Sequence, residues 1–264
     1  MISISSDMLM AWVSGLLLPL TRILGMIAAA PILSHRAMPN PVKLGLGLGL
    51  TLIIAPAIPL VPKLDIFSMQ GLMILTQQLI IGLAIGFSIR IVFAAVEMAG
   101  QISGMTMGLG FAIFYDPQSQ GQSTSVSQFL VLLAMLVFLS MDGHLLLVSA
   151  VAESFFTLPI SAEPGLHIDA YAIAKWGEKV FSAGLLLSLP VVAALLITNM
   201  ALGILTRTAP QLNLFGIGFP ITIGMGFLII ALALPSMLRP MQQLMNESFS
   251  FAQAITLKSP QQQP

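Results

Sequence analysis

The side chains that could do chemistry in this sequence are few and poorly spaced for it. His35, His144 and His167 lie far apart, and none stands in an HExxH or another metal-ligand spacing. Ser188 and His144 could be imagined as the nucleophile and base of an intramembrane protease, but no motif surrounds either. No cysteine is present, which excludes disulfides, iron–sulfur clusters and thiolate metal sites. The run LGLGLGL at 44–50 has the glycine density of a phosphate loop, yet no strand precedes it and no GK[ST] follows. These residues predict no enzyme, no cofactor and no metal, with each histidine filling a local polar role.

The elements that would carry such residues point elsewhere. Of 264 residues 57% are apolar and 8% charged, against about 25% charged in ordinary soluble domains. Ten charges of each sign cannot coat a soluble surface, and a net charge of zero does not suit a nucleic-acid partner. Six apolar segments are expected: Met8–Leu33, Leu44–Val61, Met69–Ile89, Val126–Ala152, Val180–Thr206 and Leu212–Leu238. A spanning helix needs about 20 apolar residues, and four of the six reach 26 or 27. Nothing shows the strict alternation of membrane strands. The fold class is therefore all-α, a polytopic membrane protein with about six apolar helical segments. Met1–Met10 holds Asp7 and no Lys or Arg, so this start is read as retained rather than as a cleaved signal.

The segments are not clean spans. Pro19, Pro31, Pro56, Pro59, Pro190, Pro220 and Pro235 interrupt them, and each removes a backbone donor that neighbouring protein must compensate. Arg22 and Asp142 lie inside apolar runs and Arg90 closes one. Such charges should face protein or water, or snorkel at a helix end. If six spans alternate, Lys63, Lys175, Lys179, Arg239 and Lys258 fall on one side and Arg36, Lys43 and Arg207 on the other, a weak orienting bias. Gly45/Gly49, Gly82/Gly86, Gly100/Gly104 and Gly104/Gly108 have the small-xxx-small spacing that lets helix backbones approach closely in lipid. Broken helices and glycine faces together suit a subunit of an assembly.

Two amphipathic segments are expected. One follows an Asp169 N-cap, with Ile173, Trp176 and Val180 on one face and Lys175, Glu178 and Lys179 on the other. A second, after Pro240, carries Met241, Leu244, Met245, Phe249 and Ala252. The end, SPQQQP, reads as a polar tail over 257–264, disordered by composition, leaving 1–256 as a single helical membrane domain. The least ordinary stretch is Gly104–Ser125, which gathers Met105, Met107, Phe111, Phe114 and Tyr115 before turning to Asp116-Pro117 and a string of Gln and Ser. Its polar string would not tolerate lipid. Large rings beside glycines suit a hydrophobic constriction that closes a pore by dewetting. The plainer alternative is a re-entrant loop whose aromatics merely pack.

Three motifs, in order along the chain, carry a resemblance: GFAIFYDP (Gly110–Pro117), DGHLLLVSA (Asp142–Ala150) and RTAPQLNLFGIGFPIT (Arg207–Thr222). Together with the length and apolar profile they are similar to the R-subunit family of the flagellar type III export gate, which is homologous to the T subunit of the virulence injectisome. Asp142 departs from the Asn that relatives often carry. The resemblance implies a non-enzymatic subunit of a helical complex with P and Q subunits, and contact with a B subunit. That complex sits in the bacterial inner membrane at the centre of the flagellar basal body, and unfolded flagellar proteins pass through it. The family's plug matches Gly110, Phe111, Phe114, Tyr115, Asp116 and Pro117 here. Met98, Met105 and Met107 are candidates for a gasket, since a flexible thioether can seal around varied side chains. Arg207, Pro210, Gln211, Asn213 and Pro220 form the family's signature turn, in which Gln211 and Asn213 are expected to cap freed backbone groups. Gly45 and Gly49 are expected to pack helices. Injectisome relatives tend to carry Lys two positions past the proline matching Pro220; Thr222 and the triad Gly218–Pro220 favour the flagellar system. The remaining alternative is a stand-alone small-solute transporter or channel, which should show two related halves; no such repeat is visible.

Overall fold

The computed structural model describes residues 6–59, 65–111, 124–161, 169–209, 216 and 218–256. Its elements are helices throughout: α1 (Ser6–Ala29), α2 (Asn40–Ile54), α3 (Met69–Thr106), α4 (Ser125–Ser140), α5 (Gly143–Thr157), α6 (Ala170–Trp176), α7 (Glu178–Thr208) and α8 (Phe219–Thr256), with a 3₁₀ turn at Leu109–Phe111. Local signals start several of them. The Thr124 hydroxyl accepts from the Ser127 N–H at 3.2 Å to cap α4, and Asp169 accepts from the Ala172 N–H at 3.0 Å to cap α6, as its position in the sequence suggested.

All six apolar segments are helical over most of their described residues, but their limits differ from the hydropathy reading. The third does not stop at Ile89. Helix α3 continues through Arg90 and Glu97 for 38 residues, about 57 Å at 1.5 Å per residue. Hydropathy reports immersion in lipid; a helix ends where its backbone turns, here at Gly108 with φ +88°. The segment Val126–Ala152 is two helices. Asp142 breaks it in a left-handed conformation, φ 55° and ψ 30°, and is exposed in the bend. From Phe219 onward the sixth segment and the amphipathic stretch after Pro240 join in one helix, α8, which holds Pro235 and Pro240 in its interior. The expected face is nevertheless buried: Met241, Leu244, Met245, Phe249 and Ala252 are all under 10% exposed. With 15 residues α2 spans about 22 Å, short of the hydrocarbon core. Among the described residues four helices are long and apolar enough to cross a membrane, with a fifth crossing if the bent pair α4–α5 makes one. That count is lower than the six alternating spans supposed for the charge tally.

The helices group into two compact units, each assembled from separate stretches of chain. The first comprises Met1–Arg90, Asp142–Trp176 and Asn246–Pro264. In it α1 and α3 meet backbone to backbone. A Cβ on Gly82 would overlap the Arg22 carbonyl, one on Gly86 would lie 2.6 Å from the Met26 carbonyl, and one on Gly25 2.7 Å from that of Leu79. Trp176 of α6 donates its indole N–H to the Ser88 carbonyl at 3.0 Å and stacks on Phe251 at 4.7 Å. Arg22 is completely buried, whereas Arg90 is exposed. Helix α2 lies on α1 through Gly47, whose Cβ would meet the Leu24 side chain.

The second unit comprises Ile91–Met141 and Gly177–Met245. Its core joins the later part of α3 to α4 through Phe93 and Phe138, whose rings meet edge to face at 5.9 Å. Gly184 of α7 lies against the Ala95 carbonyl, 3.1 Å from its would-be Cβ, and against Met98. In α7 and α8 large apolar side chains, among them Leu186, Ile197, Met200 and Leu232, remain more than half exposed.

Candidate functional site

The aromatic stretch from Gly110 begins where α3 ends, and its foundations lie within the second unit. Gly100 and Gly104 bring α3 onto the start of α4. A Cβ on Gly100 would overlap the Ser127 backbone, and one on Gly104 would lie 2.7 Å from the Thr124 hydroxyl. Hydrogen bonds tighten this junction. Thr124 donates to the Gly100 carbonyl at 3.2 Å and Ser127 donates to that of Glu97 at 2.9 Å. The chain before the stretch and the chain after it are thus fastened to each other at Gly100–Gly104 and Thr124–Ser127.

A second fastening joins the end of α3 to the start of α8. Gly108 adopts a positive φ that other residues enter at a cost of roughly 1–2 kcal/mol, and the Phe219 ring lies 2.8 Å from the site of a Cβ there. Met107 is fully buried beneath Gly226, whose bare backbone leaves room for the thioether. The Thr222 hydroxyl donates to the Met107 carbonyl at 3.1 Å, satisfying a group that the helix end leaves free. Gly104 and Gly108 are therefore packing and turn positions rather than loose hinges; Gly110, with only the Met105 side chain nearby at 3.8 Å, has the open surroundings.

Beside this base a groove of about 440 Å³ runs between the end of α3, α7 and the start of α8. Met105, Leu202 and Phe219 give it apolar walls, Gly203 and Gly218 widen it, and Asn199 supplies an amide. The hydroxyls of Thr106, Thr206 and Thr222 on its lining are spent on backbone carbonyls, so the groove presents chiefly apolar surface. Among the described residues no three His, Cys, Asp or Glu side chains converge as a metal site would require. What the arrangement can do is mechanical: hold a segment by both ends and offer it an apolar bed.

The expected site residues fall in different places. Of the gasket candidates, Met105 is 65% exposed on the groove and Met107 fully buried, while Met98 packs on Gly184. Arg207 lies exposed in the last turn of α7, where a cation complements the helix dipole. Pro220 is the second residue of α8, a position that needs no N–H donor. Pro210, Gln211 and Asn213 lie outside the described residues, as do Phe114, Tyr115, Asp116, Pro117 and the side chain of Phe111. The 257–264 tail lies outside them too. Among the described residues a Cβ on Gly45 or Gly49 would meet nothing within 4 Å. Sequence reasoning missed Thr124, Ser127 and Gly226, although a threonine before an apolar helical run is an N-cap signal.

Comparison with known proteins matches residues 13–248 to the family of bacterial export proteins, family 1. The chain is 43% identical over 249 residues to the flagellar biosynthetic protein FliR of Pectobacterium carotovorum subsp. carotovorum, covering 94% of this chain and 95% of that one. It is 41% identical over 261 residues to the protein of the same name from Escherichia coli K12, covering 98% and 99%. A Bacillus subtilis 168 protein with that name is 33% identical over 217 residues, or 81% and 83% of the two chains.

Proposed function

The chain belongs to the family of bacterial export proteins, family 1, and from that membership we propose that it is the R-type subunit of the flagellar type III export gate. It is a non-enzymatic part of the flagellar export apparatus and is needed to build the flagellum. The observation that carries this reading is similarity along almost the whole chain to flagellar biosynthetic proteins. Thr222 favours the flagellar over the injectisome system: it is buried against α3 and bonded to the Met107 carbonyl, a place where a lysine would need a buried counter-charge.

In this reading the subunit works in the inner membrane at the centre of the basal body, beside P, Q and B subunits. Phe111, Phe114 and Tyr115 seal a channel for unfolded flagellar proteins at rest. The fastened base supports such a seal. A plug displaced by every passing substrate must return to one place, and Gly104–Thr124 and Gly108–Phe219 fix both of its roots. Met105, exposed on the apolar groove, is placed to pack around varied side chains. The test is genetic and biochemical. A strain lacking the chain should be non-motile and should export no hook or filament protein, with both restored by the gene in trans. Normal flagella in that strain would contradict the reading, and uptake of a small solute by the chain alone in vesicles would favour a transporter.

A further inference from the structure

An arginine within a membrane-spanning segment is by default suspected of lying on an ion or substrate path. Arg22 falls in the candidate span Trp12–Ala29 and is 0% exposed. Its surroundings say something different. A guanidinium has five N–H donors, and all five are used. Nε and one Nη2 hydrogen go to Gln78 Oε1, at 2.8 and 2.5 Å. Nη1 donates to the Ser154 carbonyl at 2.8 Å and to the Ser154 hydroxyl at 3.0 Å. The second Nη2 hydrogen reaches the Leu158 carbonyl at 2.9 Å. The Phe155 ring lies 4.3 Å below the guanidinium carbon. Among the described residues no carboxylate reaches it; the charge rests on neutral oxygens and a ring face.

Two of those oxygens are backbone carbonyls at the C-terminal end of α5, which carries partial negative charge. That of Ser154 also accepts from the Leu158 N–H at 2.9 Å, whereas that of Leu158 follows the last turn, where a helix leaves acceptors without intrahelical partners. Lipid would leave a carbonyl like that of Leu158 unsatisfied at several kcal/mol. Helix α5 is the second half of the broken pair. We propose that Arg22 is a saturated latch: its fork, steered by Gln78, caps the end of α5 and so holds that helix against α1 and α3. The bare contact of Gly82 on the Arg22 backbone brings the two helices close enough for Gln78 to reach the fork. With no donor left over, Arg22 takes no part in binding substrate or ions. This goes beyond the export-gate reading and does not depend on it.

The absence of cysteine from the whole chain makes the test clean. Single cysteines are placed at Leu158, which is 5% exposed, at Ala134 in the second unit, which is 0% exposed, and at Phe156, which is 59% exposed and serves as the labelled control. Reaction with a water-soluble maleimide is followed on the full chain in membranes of cells that build the apparatus. Arg22→Met should raise labelling of Leu158→Cys about tenfold or more, the factor that losing one hydrogen bond to a charged group removes from an opening equilibrium. Ala134→Cys should stay protected. Arg22→Lys should behave like Arg22→Met, because an ammonium lacks the planar fork. Protection of Leu158→Cys in Arg22→Met, with or without loss of export, would overturn the latch. If Arg22→Met exposes both cysteines, Arg22→Lys decides. Labelling at Leu158→Cys alone upholds the latch. Protection there means that charge suffices, labelling of Ala134→Cys means that Arg22 holds the whole fold, and either result overturns the proposal.

Discussion

Two glycine pairs in this chain have the same four-residue spacing and opposite surroundings. Gly82 and Gly86 are buried under the backbone of α1, so closely that a Cβ on either would collide with a carbonyl. Gly45 and Gly49 of α2 face open space, with Leu44, Leu52 and Ile53 exposed beside them. The spacing states that a helix face permits close approach; it does not state whose backbone arrives. In the first pair the partner is the chain's own α1. In the second no partner arrives among the described residues, and a subunit of an assembly is the reading that gives those glycines a use.

That contrast can be broken by substitution. The largest effect is expected from Gly82→Leu, which must force α1 from α3 and pull Arg22 from Gln78. We expect a loss of about 3 kcal/mol, the upper end for overpacking a core, and little folded chain recovered from membranes, with or without partners. Gly45→Leu together with Gly49→Leu should leave the isolated chain's yield and melting midpoint unchanged while preventing recovery of the complex. Normal assembly and motility of that double variant would show that the open face is lipid-facing surface. The smallest effect belongs to Asp142, whose left-handed backbone costs an ordinary residue roughly 1 kcal/mol. Asp142→Ala should lower the melting midpoint in detergent slightly, and Asp142→Asn should leave it unchanged because asparagine tolerates the same conformation.

How far the sequence revealed this fold depends on which physical quantity each signal reports. Periodicity reported burial faithfully: the face of Met241, Leu244, Met245, Phe249 and Ala252 is buried as spaced. Asp169 reported a helix start. Proline was the weaker guide, because Pro235 and Pro240 stay inside α8, and membrane helices tolerate such interruptions where neighbours compensate. The division of Val126–Ala152 escaped hydropathy because both halves are apolar. The Asp-Gly dipeptide at 142–143 was the turn signal available. At the candidate site the rings and glycines were visible as types, but the fastening of Gly104 to Thr124 and of Met107 to Gly226 joins residues 20 or more apart, which no local pattern reports.

Closure of an export channel by the rings proposed to ride on this fastened base is open to a direct test: ion conductance across membranes holding the complex with Phe111, Phe114 and Tyr115 all changed to Ala. A channel wide enough for an unfolded polypeptide stays closed to ions while an apolar constriction keeps it dry. The variant should assemble in full amount and pass small ions well above the wild-type level. A fully assembled variant as tight as wild type would contradict it, leaving these rings to pack and placing the barrier in another subunit.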